Sequence, residues 1–405
     1  MDGGTVTFYK NNTSQGSITL PSSAQGYFPL AIQASSGSTS ATWSANFGQR
    51  PFTYTPPTGF KALNTFNLPD STIKNGNQYF DATAYTGTGS SKSVTNTAGF
   101  QPDLVWIKQR SAIQDHAIFD SVRGATKQLS SNTTGAEATY ANSLSAFNSN
   151  GFTVVSDAVV NTNSGTYVGW QWKAGNGSSS NTSGSITSTV SVSASAGFSI
   201  VTYTGTGANA TVGHGLGVAP KMVIVRNRSV VQNWLVYHSS IAATNYLVLN
   251  TTAASSAAST IWNNTAPTSS VFSIGTDSSV NGSTNNLVAY CWAEVEGFSK
   301  FGSYTGNGST DGPFVYLGFR PAMIWTKPIT STGSWNVLDN QRGTYNVNRS
   351  YLQQNTSDAE GTVDYVDFLS NGFKIRYGGA SPNANGVTIL YVAFAENPFK
   401  NSLAR

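Results

Sequence analysis

The feature that most constrains this chain is that it repeats itself three times at domain scale. A Tyr-Thr-Gly-x-Gly turn occurs at Tyr85 to Gly89, Tyr203 to Gly207 and Tyr304 to Gly308, and a proline follows each tyrosine by 17 positions, at Pro102, Pro220 and Pro321. Apolar runs follow the prolines (DLVWIKQR, KMVIVRNR, AMIWTKPI), and 14 residues past each proline come His116, Trp234 and Trp335. Leu129 with Asn132, Leu247 with Asn250 and Leu352 with Asn355 close a third block. Its distance from the proline is 30, 30 and 34, so the third copy carries an insertion. Each copy ends on an apolar strand: TYVGWQWKAG, NLVAYCWAEV and ILYVAFAENP. A unit of roughly 100 residues is longer than the repeat of a solenoid, so each copy is expected to be a domain.

The copies hold short runs rich in Val, Ile, Thr, Trp and Tyr between Gly, Asn and Ser clusters, with almost nothing of helical period. The expected fold is all-β: three homologous β-sandwich, jelly-roll-like domains at 79–174, 198–297 and 298–405. Charged residues are only 10% of the chain, so solubility rests on hydroxyls and amides, while 39% hydrophobic residues suffice for cores. A net charge of +4 without any basic run argues against nucleic-acid binding. Cys291, the single cysteine, lies in an apolar run and reads as a buried strand residue. The start MDGGTVTFYKNN is too polar for a signal peptide, and no apolar stretch is long enough for membrane insertion. A secreted-looking composition without an export signal suits release by cell lysis.

Residues 1–55 differ from the copies. TVTFYKNNTSQGSITL reads as a hairpin, followed by YFPLAIQAS and SANFGQRPF. Phe8-Tyr9-Lys10-Asn11, Tyr27-Phe28-Pro29 and Asn46-Phe47-Gly48 resemble the C-terminal half of a SPRY domain, which implies a partial sandwich whose open edges invite cover from another chain or the following copy. Residues 56–78, with Pro56-Pro57 and Leu68-Pro69, read as an extended connector. Residues 175–197 read as a Gly/Ser linker, free over about 175–185, that becomes an alternating docking strand from Ile186 to Val192. The run NFGQRPFTYTPPTGFKALNT followed by YTGTG copies resembles tail-fibre-like and other appendage proteins of marine, cyanophage-like tailed bacteriophages, in which SPRY-like modules precede tandem β-domains. The resemblance implies a virion setting, with synthesis in the host cytoplasm.

No catalytic constellation emerges; HExxH, GxSxG and a glycine-rich phosphate loop are all missing from the sequence. His116 trades places with Trp234 and Trp335, which argues packing, while His214 between glycines reads as an exposed loop residue. Asp120 with Arg123 and Asp339 with Arg342 repeat in DSVRG and DNQRG, and read as a structural turn closed by an ion pair. In the second copy His238 stands for the aspartate. Asp358, Glu360, Asp364 and Asp367 supply oxygens that would suit Ca²⁺ but read better as a solvated loop, and no metal or cofactor is expected. Paired carboxylates across a cleft, as a glycosidase needs, cannot be placed from sequence. Tyr140, Trp262, Tyr365 and Tyr377 lie where the copies diverge, and flat rings beside amides suit sugars or a partner surface.

These observations favour a non-enzymatic structural and adhesive virion protein of a tailed bacteriophage: a fibre, knob or decoration subunit. It would assemble as a homo-oligomer with other virion proteins and touch a host surface glycan. The competing readings are a monomeric carbohydrate-binding adhesin, a glycan-degrading enzyme and a cellular surface β-protein.

Overall fold

The protein is all-β. The structure, a computed structural model, describes residues 5–19, 46, 48, 50–59, 61–62 and 71–396. It divides into two compact units, Met1–Asp70 with Lys400–Ser402, and Ser71–Phe399 with Leu403–Arg405.

In the first unit Thr5–Lys10 and Thr13–Thr19 pair as the expected antiparallel hairpin. Asn11 and Asn12 make its two-residue turn with φ of 51° and 64°, the left-handed conformation that short amide side chains tolerate. Asn46 closes a turn by accepting from Gly48 N at 3.0 Å. The remaining SPRY-like positions, Tyr27-Phe28-Pro29 and Phe47, lie outside the described residues, as does Leu68-Pro69 of the connector.

In the second unit each copy builds its main sheet in one order. In copy 1 the strands run Phe80–Thr86, Thr166–Trp172, Leu104–Gln109, Ala117–Asp120, so the last strand in sequence inserts between the first two. Copy 2 repeats this with Phe198–Thr204, Asn286–Trp292, Met222–Asn227 and Leu235–His238. Copy 3 uses Ser299–Thr305, Thr388–Ala395, Pro321–Pro328 and Asn336–Asp339. A smaller outer layer covers one face of each sheet. Its equivalent edge strands are Lys92–Thr95, Ala210–Gly213 and Phe314–Tyr316, pairing with Gly151–Val154, Val271–Ile274 and Gly372–Ile375.

The other face of each sheet turns toward the other two copies, so the copies do not stand as three independent sandwiches. One core runs between them. Trp172, Trp292 and Trp325, one from each copy, have ring centroids 6.0, 6.0 and 6.1 Å apart, and Phe80 of copy 1 stacks on Phe394 of copy 3 at 5.2 Å. All six residues of Leu104–Gln109 and all six of Met222–Asn227 are buried, because alternate side chains enter the copy's own core and the common one. Val105, Ile107 and Phe119 fill the private core of copy 1, whereas Leu104, Trp106 and Ile118 join the common core.

The segment 175–197 is not a free linker. Ser179–Asn181 pairs with Ser188–Ser193, which pairs with Phe198–Thr204, so both strands extend the sheet of copy 2. Alternation marks the second strand. The first has exposed hydroxyls at Ser179 and Ser180 and the half-buried amide of Asn181, a composition that matches a linker while its backbone still completes a sheet edge. From the connector, Ile73 enters the common core.

Candidate functional site

The repeated turn is a device of the fold. Tyr85, Tyr203 and Tyr304 each donate a hydroxyl hydrogen bond to the carbonyl of Val160, Val280 and Pro382, at 2.7, 2.7 and 2.8 Å. The next residues are buried asparagines, Asn161, Asn281 and Asn383, at the end of a one-turn helix. Their side-chain oxygens accept from the backbone N–H of Thr88, Thr206 and Asn307 at 2.8–2.9 Å. The second turn glycine needs positive φ (69°, 75° and 68°). A Cβ on the first would collide with a backbone carbonyl, of Thr162, Gly282 or Ala384. These asparagines went unnoticed in sequence, although DAVVN and DSSVN carried the signal.

The copies join in a closed ring, each strand end of one copy meeting the corresponding loop of another. Glu137 N donates to Arg228 O, Glu360 N to Arg110 O, and Ser255 N to Ile329 O, at 2.9, 2.9 and 3.0 Å. Three buried cations cross the same junctions. Lys108 donates to the carbonyl of Ser357, Arg226 to that of Gly135, and Lys327 to those of Thr252 and Ala253. Burial lowers the pKa of Lys108 and Lys327 to about 8 and that of Arg226 to about 10; at Lys108 the charges of Asp358 and Asp115 oppose the shift. Trp234 Nε1 donates to Ser130 O at 2.9 Å and Trp335 Nε1 to Val248 O at 3.0 Å. His116 occupies the same place, with Nε2 3.0 Å from Gln353 O. Trp106 Nε1 donates to its Nδ1 at 2.8 Å, which fixes the neutral tautomer with the proton on Nε2. Burial lowers this histidine's pKa to about 3, aided by the charge of Lys108.

The Asp–Arg turns sit at two of the three junctions, and each is extended by a glutamate and a second arginine. Arg342 donates to Asp339 at 2.7 Å and to Glu360 at 3.0 Å, while Arg110 of copy 1 grips Glu360 with two bonds of 2.9 and 2.8 Å. Trp170 Nε1 donates to Asp339 at 2.9 Å. At the junction of copies 1 and 2, Arg123 pairs with Asp120 and with Glu137 (3.0 Å), and Arg228 grips Glu137 with two bonds of 2.9 Å. There Tyr290 donates its hydroxyl to Asp120 at 2.7 Å. Burial alone would raise the pKa of both glutamates, but the arginine hydrogen bonds and charges win and hold it below the ordinary value. At the third junction all five positions differ together: His238, Ile241, Ser255, Ile329 and Val392 replace the aspartate, the arginine, the glutamate, the second arginine and the aromatic donor. His238, Ile241, Ile329 and Val392 are buried.

Of the four aromatic residues proposed to contact a sugar or partner, two are withdrawn from that role by burial. Trp262 is 2% exposed and packs edge-on against Tyr237 in the private core of copy 2. Tyr365 is 2% exposed, lies between Tyr351 and Tyr377 at 5.4 and 5.8 Å, and donates to Ser381 O. Divergence between copies marked these residues, but both are packed inward, Trp262 in the private core of copy 2 and Tyr365 in the copy 3 part of the large core cluster. Tyr377 is half-buried in that stack, and Tyr140 is exposed. His214 is buried rather than exposed, its Nε2 3.1 Å from Thr268 O. The acidic loop is divided among arginines: Glu360 pairs with Arg110 and Arg342, Asp364 with Arg349, Asp367 with Arg376. Among the described residues no three His, Cys, Asp or Glu side chains converge as metal ligands. No helix there is long and apolar enough to cross a membrane.

Among the exposed aromatic residues that were missed, two share one strand. On the outer edge strand of copy 3, Phe314 and Tyr316 face outward on either side of buried Val315. The equivalent residues are Ser93 and Thr95 around Val94 in copy 1, and Thr211 and Gly213 around Val212 in copy 2. Lys300 lies over the Tyr316 ring at 5.3 Å. Aligning KSVT and ATVG with FVY exposes the change, but the two-residue insertion before this strand obscures the alignment.

A family model described as Domain of unknown function (DUF7483) matches residues 75–398, all three copies within one match. No curated protein and no solved structure matches the chain.

Proposed function

We propose that this chain, which belongs to the DUF7483 family, is a non-enzymatic structural and adhesive virion protein of a tailed bacteriophage, a fibre, knob or decoration subunit. The observation that carries the reading is the outward pair Phe314 and Tyr316, large apolar rings held on a rigid sheet edge where the sister copies carry Ser, Thr or Gly. Repetition preserves what the fold needs, so a copy-specific exposed aromatic surface is a candidate for contact with another molecule. The rest of the block supports a passive role. Its His116, its buried arginines and the acids beside them tie the copies to one another, as a rigid head requires.

Assembly is assigned to the first unit, whose hairpin exposes Phe8, Tyr9 and Ile18. A two-stranded hairpin is marginal in water by itself, so cover by a second chain in a homo-oligomer, or by another virion protein, would stabilise it. The monomeric carbohydrate-binding adhesin is the second reading, favoured by the closure of the three copies into a ring. Light scattering separates the two: a stable oligomer supports the assembled subunit, a monomer the adhesin.

Adhesion is tested with the full chain carrying Phe314→Ser and Tyr316→Thr together, labelled and applied to candidate host cells. Cell binding is expected to fall by about tenfold or more at unchanged melting temperature. Undiminished binding removes this face from the proposal.

A further inference from the structure

A cleft of about 370 Å³ lies at one end of copy 1, lined by Gln78, Tyr79, Gln101, Ser149, Lys173 and Asn176. Its walls are fixed. Lys173 N donates to Tyr79 O at 2.9 Å, joining the entry to the first strand with the exit from the last. The loop leading to Gln101 is pinned by buried Asn96, which accepts from Phe100 N at 3.0 Å and donates to Phe100 O at 2.7 Å. Asp103 holds the opposite end, accepting from Ala174 N at 2.7 Å and Asn176 N at 3.2 Å.

The same backbone bond in the other copies identifies the equivalent residues. Ala293 N donates to Gly197 O in copy 2, and Ala395 N to Phe298 O in copy 3, both at 2.7 Å. Alanine stands in the place of Lys173 in both sister copies, and in copy 3 the nearest cation, Arg320 at the position of Gln101, carries its own counter-ion, Glu396 at 2.9 Å, so an unpaired cation beside Tyr79 is an addition that the repeated fold does not need. The Lys173 ammonium lies 5.8 Å from the centre of the Tyr79 ring, and among the described residues it pairs with no carboxylate. No carboxylate lines the cleft either; Gln78, Gln101 and Ser149 offer amide and hydroxyl groups around its rim, while the Asn176 side-chain nitrogen is taken by Asp103 and Gln101 O, both at 3.1 Å, which leaves its amide oxygen.

We propose that this cleft binds an anionic sugar, a single saccharide unit carrying a carboxylate or a sulfate. Lys173 meets the charge, Tyr79 offers an apolar ring to the sugar's C–H face, and the amides meet its hydroxyls. The size lies near the lower end of ligand clefts, about 300–1,000 Å³, which suits one unit of a chain. A cation without a built-in counter-ion favours an anion, and the absence of a lining carboxylate excludes the acid pair of a glycosidase at this place. The proposal does not rest on the Phe314 and Tyr316 face; it adds a second, chemically defined contact on a different copy.

The test is calorimetric titration of the full chain with three probes: an oligogalacturonate, a sulfated galactan oligosaccharide and a neutral galactan oligosaccharide. Saturable binding of the uronate, the sulfate or both, with the neutral probe at least about tenfold weaker, is expected, and the stronger acidic probe identifies the anion. Lys173→Gln is expected to weaken the acidic probe about tenfold or more at unchanged melting temperature, and Tyr79→Leu to weaken acidic and neutral probes alike. Absence of saturable binding of both acidic probes, or affinity unchanged in Lys173→Gln, overturns the proposal. Absence of saturable binding of both acidic probes, with cell adhesion still lost in the Phe314 and Tyr316 variant, would sink the cleft alone and leave the adhesive reading standing.

Discussion

The junction between copies 1 and 2 and the junction between copies 2 and 3 have the same backbone geometry but opposite chemistry. The first buries Asp120 and Arg123 with the hydroxyl of Tyr290 and half-buries Glu137 and Arg228; the second puts His238, Ile241, Ser255, Ile329 and Val392 in the corresponding places. The same strand-to-loop bond, Glu137 N to Arg228 O or Ser255 N to Ile329 O, survives in both. The ring is therefore held by backbone pairing and apolar packing. The charges form a unit that is present complete or replaced complete, as expected where a partial set would leave a buried charge unpaired.

The largest effect should come from breaking that unit in part. Arg123→Ile leaves buried Asp120 without its cation and Glu137 with Arg228 alone, and is expected to cost about 3–5 kcal/mol of stability. The mirror change, Ile241→Arg in copy 2, places a charge beside Ile329 and Val392 with no acid to meet it, and a similar loss is expected. Urea unfolding of both variants checks this. A loss under about 1 kcal/mol in either would mean that water reaches the junction.

Acid should distinguish the junctions next. Burial lowers the pKa of His238 to about 4 and that of His116 to about 3, against about 6.5 in the unfolded chain. The unfolded state therefore takes up protons first. The stability that each neutral histidine contributes is complete above about pH 6.5 and is lost as pH falls toward those folded values, by about 1.4 kcal/mol per pH unit per histidine. Glu137 and Glu360 also have lowered pKa values, so their contribution is present above about 4.5, the ordinary glutamate value, and disappears only as pH falls through the lower folded values. Between pH 6.5 and 5 the loss belongs to the histidines. His238→Leu should flatten part of the stability profile in that window and leave the steeper fall below pH 4.5 in place; an unchanged profile would show that His238 is reached by protons in the folded state.

How much of this was legible in sequence follows from the range of the interactions. The hairpin, the strands, the Asp–Arg turns and the place of Cys291 rest on local pattern, and the structure has them there. The exchange of His116 for Trp234 and Trp335 was also readable, because one hydrogen bond to a neighbouring copy repeats at all three positions. The common core was readable only in part. Leu104–Gln109 and Met222–Asn227 are nearly continuous apolar runs, the mark of strands covered on both faces, and an antiparallel sandwich with one wet face would have alternated. The glutamates were harder. Glu137 and Glu360 lie in loops that pair with an arginine about 90 residues later or 250 residues earlier, a relation that only the closed ring creates. Exposure was the least legible property: Trp262, at the end of the one-turn helix Ser259–Trp262, and Tyr365, on the strand Gly361–Leu369, are buried, whereas Phe314 and Tyr316, also on a strand, point outward.

The smallest net effect is expected from the most extensive change. Replacing Asp120, Arg123, Glu137, Arg228 and Tyr290 by their copy 2 and copy 3 counterparts, His, Ile, Ser, Ile and Val, would convert an ionic junction into the apolar one. Each substitution alone leaves a partner without its bond, yet the set removes every buried or half-buried charge of the network at once. The desolvation of two arginines and two acids then disappears together with their attraction, and buried ion networks often come out near neutral against well-packed apolar groups. The net change in unfolding free energy is expected to be on the order of 1 kcal/mol in either direction, against about 3–5 kcal/mol lost for Arg123→Ile alone. Such non-additivity would show that the network fixes which loop meets which strand end and adds little net stability. If the five-fold variant is instead as unstable as the single one, the ionic junction is a main source of cohesion, and copies 2 and 3 must be held by packing that copy 1 lacks.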